Sequence, residues 1–426
     1  MRRTAAVLLL TLICTTVRAQ SSKPLSQVQL SPAERSIAQA KNLIDKNPKD
    51  YEAYNALALA LSRRARETSD ARFYVQGEEA LQKSFSISPD NFDAKRIQTW
   101  LLLGKHEFAA ALDAAQKLNK AMPDDVMTYG FLTDANIELG NYDDAEKAVQ
   151  WMLDLKPGNM PGLTRAAYLR ELFGEIDGSL DLMKMAYEST PPNEVEDRAW
   201  ILTQMSHLDL VVGRLEEAEK LAQQALTLFP GYHYALGNLA KVRIGQKRYT
   251  EAVELLQQRF QSAPQAENLF ELAQAQQWSG QTAEANRAFA EFEEKSLQET
   301  NRADNSNHEL TFYYADYAHQ PAKALQVAQR EFARRHDVFT LDAYAWALCA
   351  NGQFAEARKQ IESALAVGIH DAKFLRHAAE IAMKCGDRAA AQRYLQKLAA
   401  LNAPDSEQAE AALAASGQNA DTAAAH

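Results

Sequence analysis

Prolines recur in this sequence at a nearly constant interval. Three successive gaps, running from Pro89 to Pro191, are each 34 residues long. Proline ends a helix, because its ring removes a backbone donor and clashes with the preceding turn. A fixed interval of this length therefore indicates a repeated unit with room for two short helices. Seven of the 13 prolines lie on this register: Pro48, Pro89, Pro123, Pro157, Pro191, Pro230 and Pro264.

Glycine and alanine recur on the same register. Glycines fall in the middle of the unit, where a left-handed residue can close the first helix, at Gly140, Gly174, Gly213, Gly280, Gly352 and Gly386. Gly104 and Gly245 come two residues early. Alanines mark one position of the second helix, where two backbones approach closely: Ala145, Ala218, Ala252, Ala285, Ala324, Ala357 and Ala391. The pattern predicts an all-α fold, a right-handed α-solenoid of about nine to ten helix-turn-helix units.

The pattern over residues 33–403 resembles the tetratricopeptide repeat family. The unit from Val126 to Pro157 carries the resemblance most regularly, and the stretches 197–226 and 341–365 are similar to exported bacterial members of the family. The resemblance implies that the first helix of each unit lines a concave groove. It implies no defined activity.

The repeats divide the chain into segments. We expect a capping helix over 32–47, beginning at Ser31 with Glu34 completing a capping box, and regular repeats over 48–292. A polar loop or hinge is predicted at 293–307, less regular repeats at 308–403, and a partly disordered Ala-rich tail at 404–426. The first repeat has seven extra residues within 62–76, which we expect to lengthen its helices or its turn; the arginines of this stretch suggest either a solvated loop or a contact for an acidic partner.

The N-terminus predicts export. A basic start, an apolar run from Ala5 to Ile13 and small residues before Gln20 are typical of a signal peptide over residues 1–19, cleaved after Ala19. Residues 20–31 are then a polar linker, and the mature chain is periplasmic or extracellular. We do not expect Cys14 to be a lipidated cysteine, because Ile13 precedes it where lipoproteins have a small residue.

Net charge and hydropathy limit the classes of partner that this chain can bind. Removal of Arg2, Arg3 and Arg18 leaves 43 basic against 56 acidic residues, a net charge of −13. Such a surface repels phosphate backbones, so no nucleic-acid partner is expected. No second apolar run is long enough to span a membrane. Cys349 and Cys385 suggest either two buried thiols or one disulfide between neighbouring repeats.

Catalytic and metal-binding patterns do not emerge. His106-Glu107 and His308-Glu309 begin like a zinc-protease motif, but neither has the second histidine. His370 and His377 could share a helix face, although surface histidines explain them as well. We therefore expect no enzyme, no cofactor and no metal.

Projecting the register onto the first helices selects inward-facing positions. They are Tyr168, Trp200, His207, Tyr234, Lys241, Phe270, Tyr313 and Trp346. Six of the eight are aromatic, which suits either packing between helices or a ligand-binding stripe. The family resemblance also suggests a clamp of basic and amide residues for a carboxylate. Only Asn238, Lys241 and Arg165 fit its positions in this sequence, so we do not predict this clamp.

These observations favour a non-catalytic scaffold that binds a protein segment or peptide in its groove. The alternative is a factor for polysaccharide or cell-envelope assembly, in which Tyr313, Asp316 and Tyr317 form a ledge for a glycan. A second alternative, an enzyme with a site between repeats, has no motif to support it.

Overall fold

The structure, a computed structural model, describes residues 30–401. The predicted signal peptide, nearly all of the linker and the Ala-rich tail lie outside the described residues. The helices are α1 (Pro32–Lys46), α2 (Tyr51–Thr68), α3 (Arg72–Ile87), α4 (Phe92–Gly104), α5 (Phe108–Ala121), α6 (Val126–Glu138), α7 (Tyr142–Leu155), α8 (Met160–Leu172), α9 (Ile176–Ser189), α10 (Val195–Val211), α11 (Leu215–Leu228), α12 (His233–Gly245), α13 (Tyr249–Ser262), α14 (Ala266–Trp278), α15 (Thr282–Glu299), α16 (Asn307–Phe312), α17 (Pro321–Phe332), α18 (Val338–Ala350), α19 (Phe354–Ala366), α20 (Ala372–Lys384) and α21 (Arg388–Ala400). Tyr313–Tyr317 continue α16 as one π-helical turn.

Consecutive helices pack as pairs. The pairs run from α2 with α3 to α20 with α21, and each pair stacks on the next. The ten pairs confirm the predicted all-α solenoid of nine to ten units. Helix α1 packs against α2 as a cap, with Ser31 and Glu34 forming the reciprocal hydrogen bonds of a capping box.

The core of the solenoid follows the repeated small residues. All seven alanines of the second-helix position are at most 1% exposed. A methyl group is all that fits there, because the paired backbones approach closely. The larger apolar residues of each unit fill the remaining space between pairs, so the core is a continuous series of clusters along the chain.

In two turns that contain a glycine of the register, another residue is the left-handed one. Gly104 and Gly245 are the last residues of their helices, and the positive φ belongs to His106 (59°) and Lys247 (58°). Gly104 has a different reason to be glycine. A Cβ atom there would lie 2.5 Å from the ring of Tyr74, so the close approach of α3 excludes any side chain.

The first repeat uses its extra residues to lengthen both helices. Helix α2 has 18 residues and α3 has 16, whereas α6 has 13. Residues 62–68 are therefore helical; of the alternatives expected from the sequence, longer helices describe them and a solvated loop does not. Arg64 pairs with Glu67 (2.9 Å) and Glu34 (2.8 Å), so acidic groups of the chain itself neutralise part of this basic stretch.

The polar stretch at 293–307 is only partly a loop. Its first seven residues, to Glu299, belong to α15, and residues 300–306 connect α15 to α16. The side chain of Asn307 donates to Glu331 of α17 at 2.9 Å, and that of Asn305 donates to the same carboxylate at 3.1 Å. These bonds tie the connection to the following pair.

The solenoid curls until its later pairs touch its earlier ones. First helices early in the chain contact, at their C-terminal ends, residues at or just before the N-terminal ends of first helices later in the chain. Some of these contacts join pairs that are six pairs apart. The contacts include Arg66 with Glu196, His106 with Asp304, Glu138 with Arg335, and Gly174 with Gly368. We call these contacts the seam. They join residues more than 100 positions apart, which a 34-residue pattern does not specify.

His233 makes one part of the seam sensitive to pH. Its ring is 1% exposed, and Nε2 lies 3.2 Å from the carbonyl oxygen of Arg66. Burial lowers the pKa of His233 to about 4, whereas the unfolded chain protonates near pH ~6.5. As the pH falls through this window, the unfolded chain binds the proton first, so stability is lost.

We predict that His233→Gln reduces this pH dependence. Between pH 7 and pH 5 the free energy of unfolding of the wild type should fall by about 2 kcal/mol through His233. The reason is that pH 5 lies about 1.5 units below the pKa of this histidine in the unfolded chain. Urea unfolding at both pH values measures the loss. His319→Gln, at an exposed loop position, serves as the control. Equal pH dependence in the wild type and His233→Gln would contradict the prediction.

Both cysteines carry free thiols. Cys349 is 7% exposed, and burial raises the pKa of its thiol to about 12. Cys385 is half-buried, and its Sγ lies 3.4 Å from the carbonyl oxygen of Phe354. The structure therefore has the pair as two thiols. Among residues 30–401, no helix combines the length and apolar character needed to cross a bilayer.

Candidate functional site

A cavity of about 1090 Å³ lies on the concave side of the first half of the solenoid. It is lined mainly by the first helices of five successive pairs, α2, α4, α6, α8 and α10. Its volume is at the upper end of the range for small-molecule pockets, about 300–1,000 Å³. The ion pair between Arg66 of α2 and Asp197 of α10 bridges the two ends of this row of helices. We call this space the groove.

The wall of the groove is largely apolar. Each first helix contributes residues from one face; in α4 these include Ile97, Trp100 and Leu103, spaced three residues apart. The apolar lining is Ala56, Leu59, Ile97, Trp100, Leu103, Met127, Phe131, Met160, Tyr168, Met183 and Trp200. Trp100 meets Phe131 edge-on at 6.1 Å between ring centroids, which orients the indole. Methionines and aromatic rings together give an adaptable surface with a large contact area.

Three arginines of the groove are already paired with carboxylates. Arg165 forms two bonds to Asp134, at 2.7 and 2.5 Å. Arg96 donates to Asp125 at 2.8 Å.

The third, Arg66, lies between Glu196 and Asp197. Burial opposes its charge, but the two carboxylates outweigh burial and raise the pKa of Arg66 above its ordinary value. The cations therefore hold the wall together and leave it nearly neutral.

Five of the residues predicted to face the groove line cavities. Tyr168 and Trp200 line the groove. His207, Tyr234 and Lys241 line a neighbouring cavity of about 210 Å³, on α10, α12 and α13. His207 pairs with Glu171 at 2.8 Å and Lys241 lies 3.6 Å from Glu271, so both are already engaged.

The other three predicted residues pack in the second half of the solenoid. Phe270 is 6% exposed and Trp346 is 7% exposed. The ring of Tyr313 stacks on Phe289 at 5.5 Å. The proposed glycan ledge is also engaged internally, since Asp316 accepts a hydrogen bond from Trp346 Nε1 at 2.7 Å. A ligand role for any of the eight residues stays a prediction.

The residues suggested for a carboxylate clamp are not assembled. Asn238 donates to the carbonyl oxygen of Thr203 at 2.8 Å. Lys241 lies by Glu271, and Arg165 is held by Asp134 in a different cavity.

The histidines of the C-terminal repeats lie apart. His377 is fully buried against Asp342, while His370 is exposed beside Gly174. No cluster of three or more His, Cys, Asp and Glu side chains suited to a metal ion occurs within residues 30–401.

Sequence reasoning missed the aromatic residues of the earliest repeats. Trp100 stands 68 positions before Tyr168, which is two units of 34, so the register could have identified it. Phe131 also lines the groove, but it is only 2% exposed, and in a repeat its position belongs to the core. Tyr74 carries no such signal, because it lies in the second helix of a unit whose length departs from 34 residues.

Comparison with known proteins identifies the architecture. The family model described as tetratricopeptide repeat matches residues 212–276. No curated protein matches the sequence. The APC/C hetero-tetramer Cut9–Hcn1 is similar at 15% identity with a TM-score of 0.51, over 74% of this chain and 58% of that one. The chain thus spans little more than half the length of that protein.

Two further structures are similar at 13% identity. The human IFIT1 dimer with m7Gppp-AAAA has a TM-score of 0.50, over 87% of this chain and 86% of that one. A tetratricopeptide repeat protein from Parabacteroides merdae has a TM-score of 0.41, over 62% and 93%. At such identities the likeness of Cut9–Hcn1 and IFIT1 extends to the fold alone.

Proposed function

Because this chain is a tetratricopeptide repeat protein, we propose that it is a scaffold that binds a segment of another protein in the groove. The observation that carries the proposal is the apolar wall on α2, α4, α6, α8 and α10. Three of its four arginines are paired, so the surface offered to a ligand consists mainly of aromatic, aliphatic and methionine side chains. Such a surface gains most by covering the apolar side chains of a partner.

The size of the groove suits a polypeptide segment. Packed helices lie about 8–10 Å apart, so five in a row form a curved wall that is roughly 32–40 Å long when followed from helix to helix. An extended segment covers that length with about 10–12 residues at ~3.3 Å each. A helix needs about 21–27 residues at ~1.5 Å each. We therefore choose a displayed library of about 24 random residues as the probe.

The first test measures how groove tryptophans contribute to peptide binding. Peptides are selected on the full chain, and the dissociation constant of a selected synthetic peptide is measured by fluorescence anisotropy. Trp100→Ala and Trp200→Ala should each weaken binding about 10- to 30-fold, as expected for a central aromatic anchor worth about 1.4–2 kcal/mol.

Trp151→Ala is the matched control. Trp151 is 53% exposed on the outer helix α7 and does not line the groove, so its loss should leave binding unchanged. Circular dichroism checks that all variants keep their helix content. Failure to select any peptide, or equal affinity in the groove variants, would rule out the groove as the binding surface.

We also propose that the protein acts after export. The proposal is supported by the signal-peptide pattern of residues 1–19. Mass spectrometry of the protein from a cell-envelope fraction should give an N-terminus at Gln20. An intact N-terminus in the cytoplasmic fraction would contradict it.

A further inference from the structure

The charged residues of the groove divide into two groups. Six of the eight are engaged with each other or with neighbours, as Arg66 with Asp197, Arg96 with Asp93, and Arg165 with Asp134. The remaining two, Glu52 and Arg63, form no ion pair with any residue between 30 and 401, although Glu52 accepts a long hydrogen bond from the hydroxyl of Tyr51 (3.4 Å). Both are exposed and both line the groove.

The two unpaired charges lie on one face of α2. They are 11 residues apart, or about three helical turns, which places them roughly 16 Å apart along the axis. Glu52 is in the first turn, where a carboxylate also stabilises the helix dipole. Arg63 is in the body of the helix, so the dipole does not explain it.

Apolar wall separates the two charges. Ala56 and Leu59 of α2 lie between them, with Ile97 and Trp100 of α4 beside them. A segment that covers this wall must pass both charged residues. Covering Arg63 with an apolar or basic group would remove water from its charge without replacing it, which is unfavourable. A carboxylate placed there restores the lost interaction and fixes the direction of the segment.

We propose that the groove selects an apolar segment that carries opposite charges roughly 16 Å apart where it lies against α2, an acidic group at Arg63 and a basic group at Glu52. This rests on the proposed peptide-binding function. The segment then has one orientation, with its acidic residue on the side of the C-terminal end of α2.

The experiment exchanges charges between protein and peptide. Peptides selected on the wild type should carry Asp or Glu and, about five residues away in an extended segment or about eleven in a helix, Lys or Arg. Arg63→Glu should weaken a selected peptide about tenfold, and replacing the acidic residue of the peptide with Lys should restore affinity to this variant. Glu52→Lys should weaken the peptide likewise, and replacing the basic residue of the peptide with Glu should restore affinity to this variant.

Arg330→Glu is the matched control. Arg330 lies on α17, lines neither cavity and changes the net charge of the protein equally. It should leave affinity within about twofold at physiological salt, because charges beyond a Debye length of about 8 Å are screened.

The outcomes separate the two proposals. If peptides bind through Trp100 and Trp200 but carry no charge preference, or if the exchanged peptide does not recover affinity for Arg63→Glu, the charge polarity is wrong while peptide binding stands. If no peptide is selected, peptide binding itself is wrong and the polarity falls with it.

Discussion

Gly140→Ala is expected to destabilise this protein far more than Gly280→Ala, although both glycines have the same backbone angle. Each has φ of 79° and ends the first helix of its pair. Alanine in that left-handed conformation costs about 1–2 kcal/mol at either position. At Gly140 a Cβ atom would also lie 2.7 Å from the carbonyl oxygen of His336, across the seam.

The seam has little freedom to relax at this point. The backbone N–H of His336 donates to the carbonyl oxygen of Glu138 at 3.3 Å, and Arg335 pairs with the side chain of Glu138 at 3.1 Å. Relieving the clash would break these contacts, so we expect an additional loss of about 1–3 kcal/mol, typical of overpacking.

Gly280→Ala is the control, because no atom lies within 4 Å of its added Cβ. Urea unfolding followed by circular dichroism compares the two variants, and hydrogen exchange at residues 336–338 shows whether the seam has opened. Equal losses of stability would mean that the contact across the seam does not constrain the fold.

His377→Leu is expected to destabilise the C-terminal repeats by about 3–5 kcal/mol, the usual effect of removing one partner of a buried ionisable pair. His377 Nδ1 donates to Asp342 Oδ1 at 2.7 Å, and both side chains are fully buried. Burial lowers the pKa of His377, so its imidazole is neutral at pH 7 and accepts from Arg376 at 2.9 Å. Leucine would leave the carboxylate of Asp342 without this donor.

Two further variants show whether the pair itself is responsible. Asp342→Asn keeps an acceptor for His377 and should lose only about 1 kcal/mol. The double variant His377→Leu with Asp342→Ala removes the stranded charge and should be more stable than His377→Leu alone. Asp342→Ala is measured alone as well. A double variant that loses as much stability as His377→Leu and Asp342→Ala together would show that packing against Trp346, stacked on His377 at 4.1 Å, is the main contribution. Thermal and urea unfolding give these values.

The repeat architecture could be predicted because each unit specifies its own structure. Prolines end helices, a left-handed glycine closes a turn, and alanine allows close packing, all within about 34 residues of chain. Ala145 and its six counterparts are buried as the register predicts. The prediction was less specific where a unit departs from that length, because the sequence left open whether the extra residues lengthen a helix or a connection. Thus the stretch after Ser62 forms a longer α2, and the stretch before Glu299 forms a longer α15.

The candidate site was harder to predict for a physical reason. The register places a side chain on the inner helix, but whether that side chain faces solvent depends on how the next pair packs. Phe270 and Trp346 lie on first helices of their pairs, as Trp200 does. They nevertheless pack among neighbouring rings. Trp100 lies on the same register as Tyr168 and lines the groove with it.

Local rules thus account for the helix pairs, their number and the face that each turns inward, because these follow from residues within one unit or its neighbour. The seam depends on the small rotation between successive pairs, which accumulates over about six of them before Glu138 meets Arg335. No local pattern encodes that sum. The tertiary structure therefore decided that Arg66 is held by Asp197, that the groove is bridged, and that Arg63 remains available in its wall.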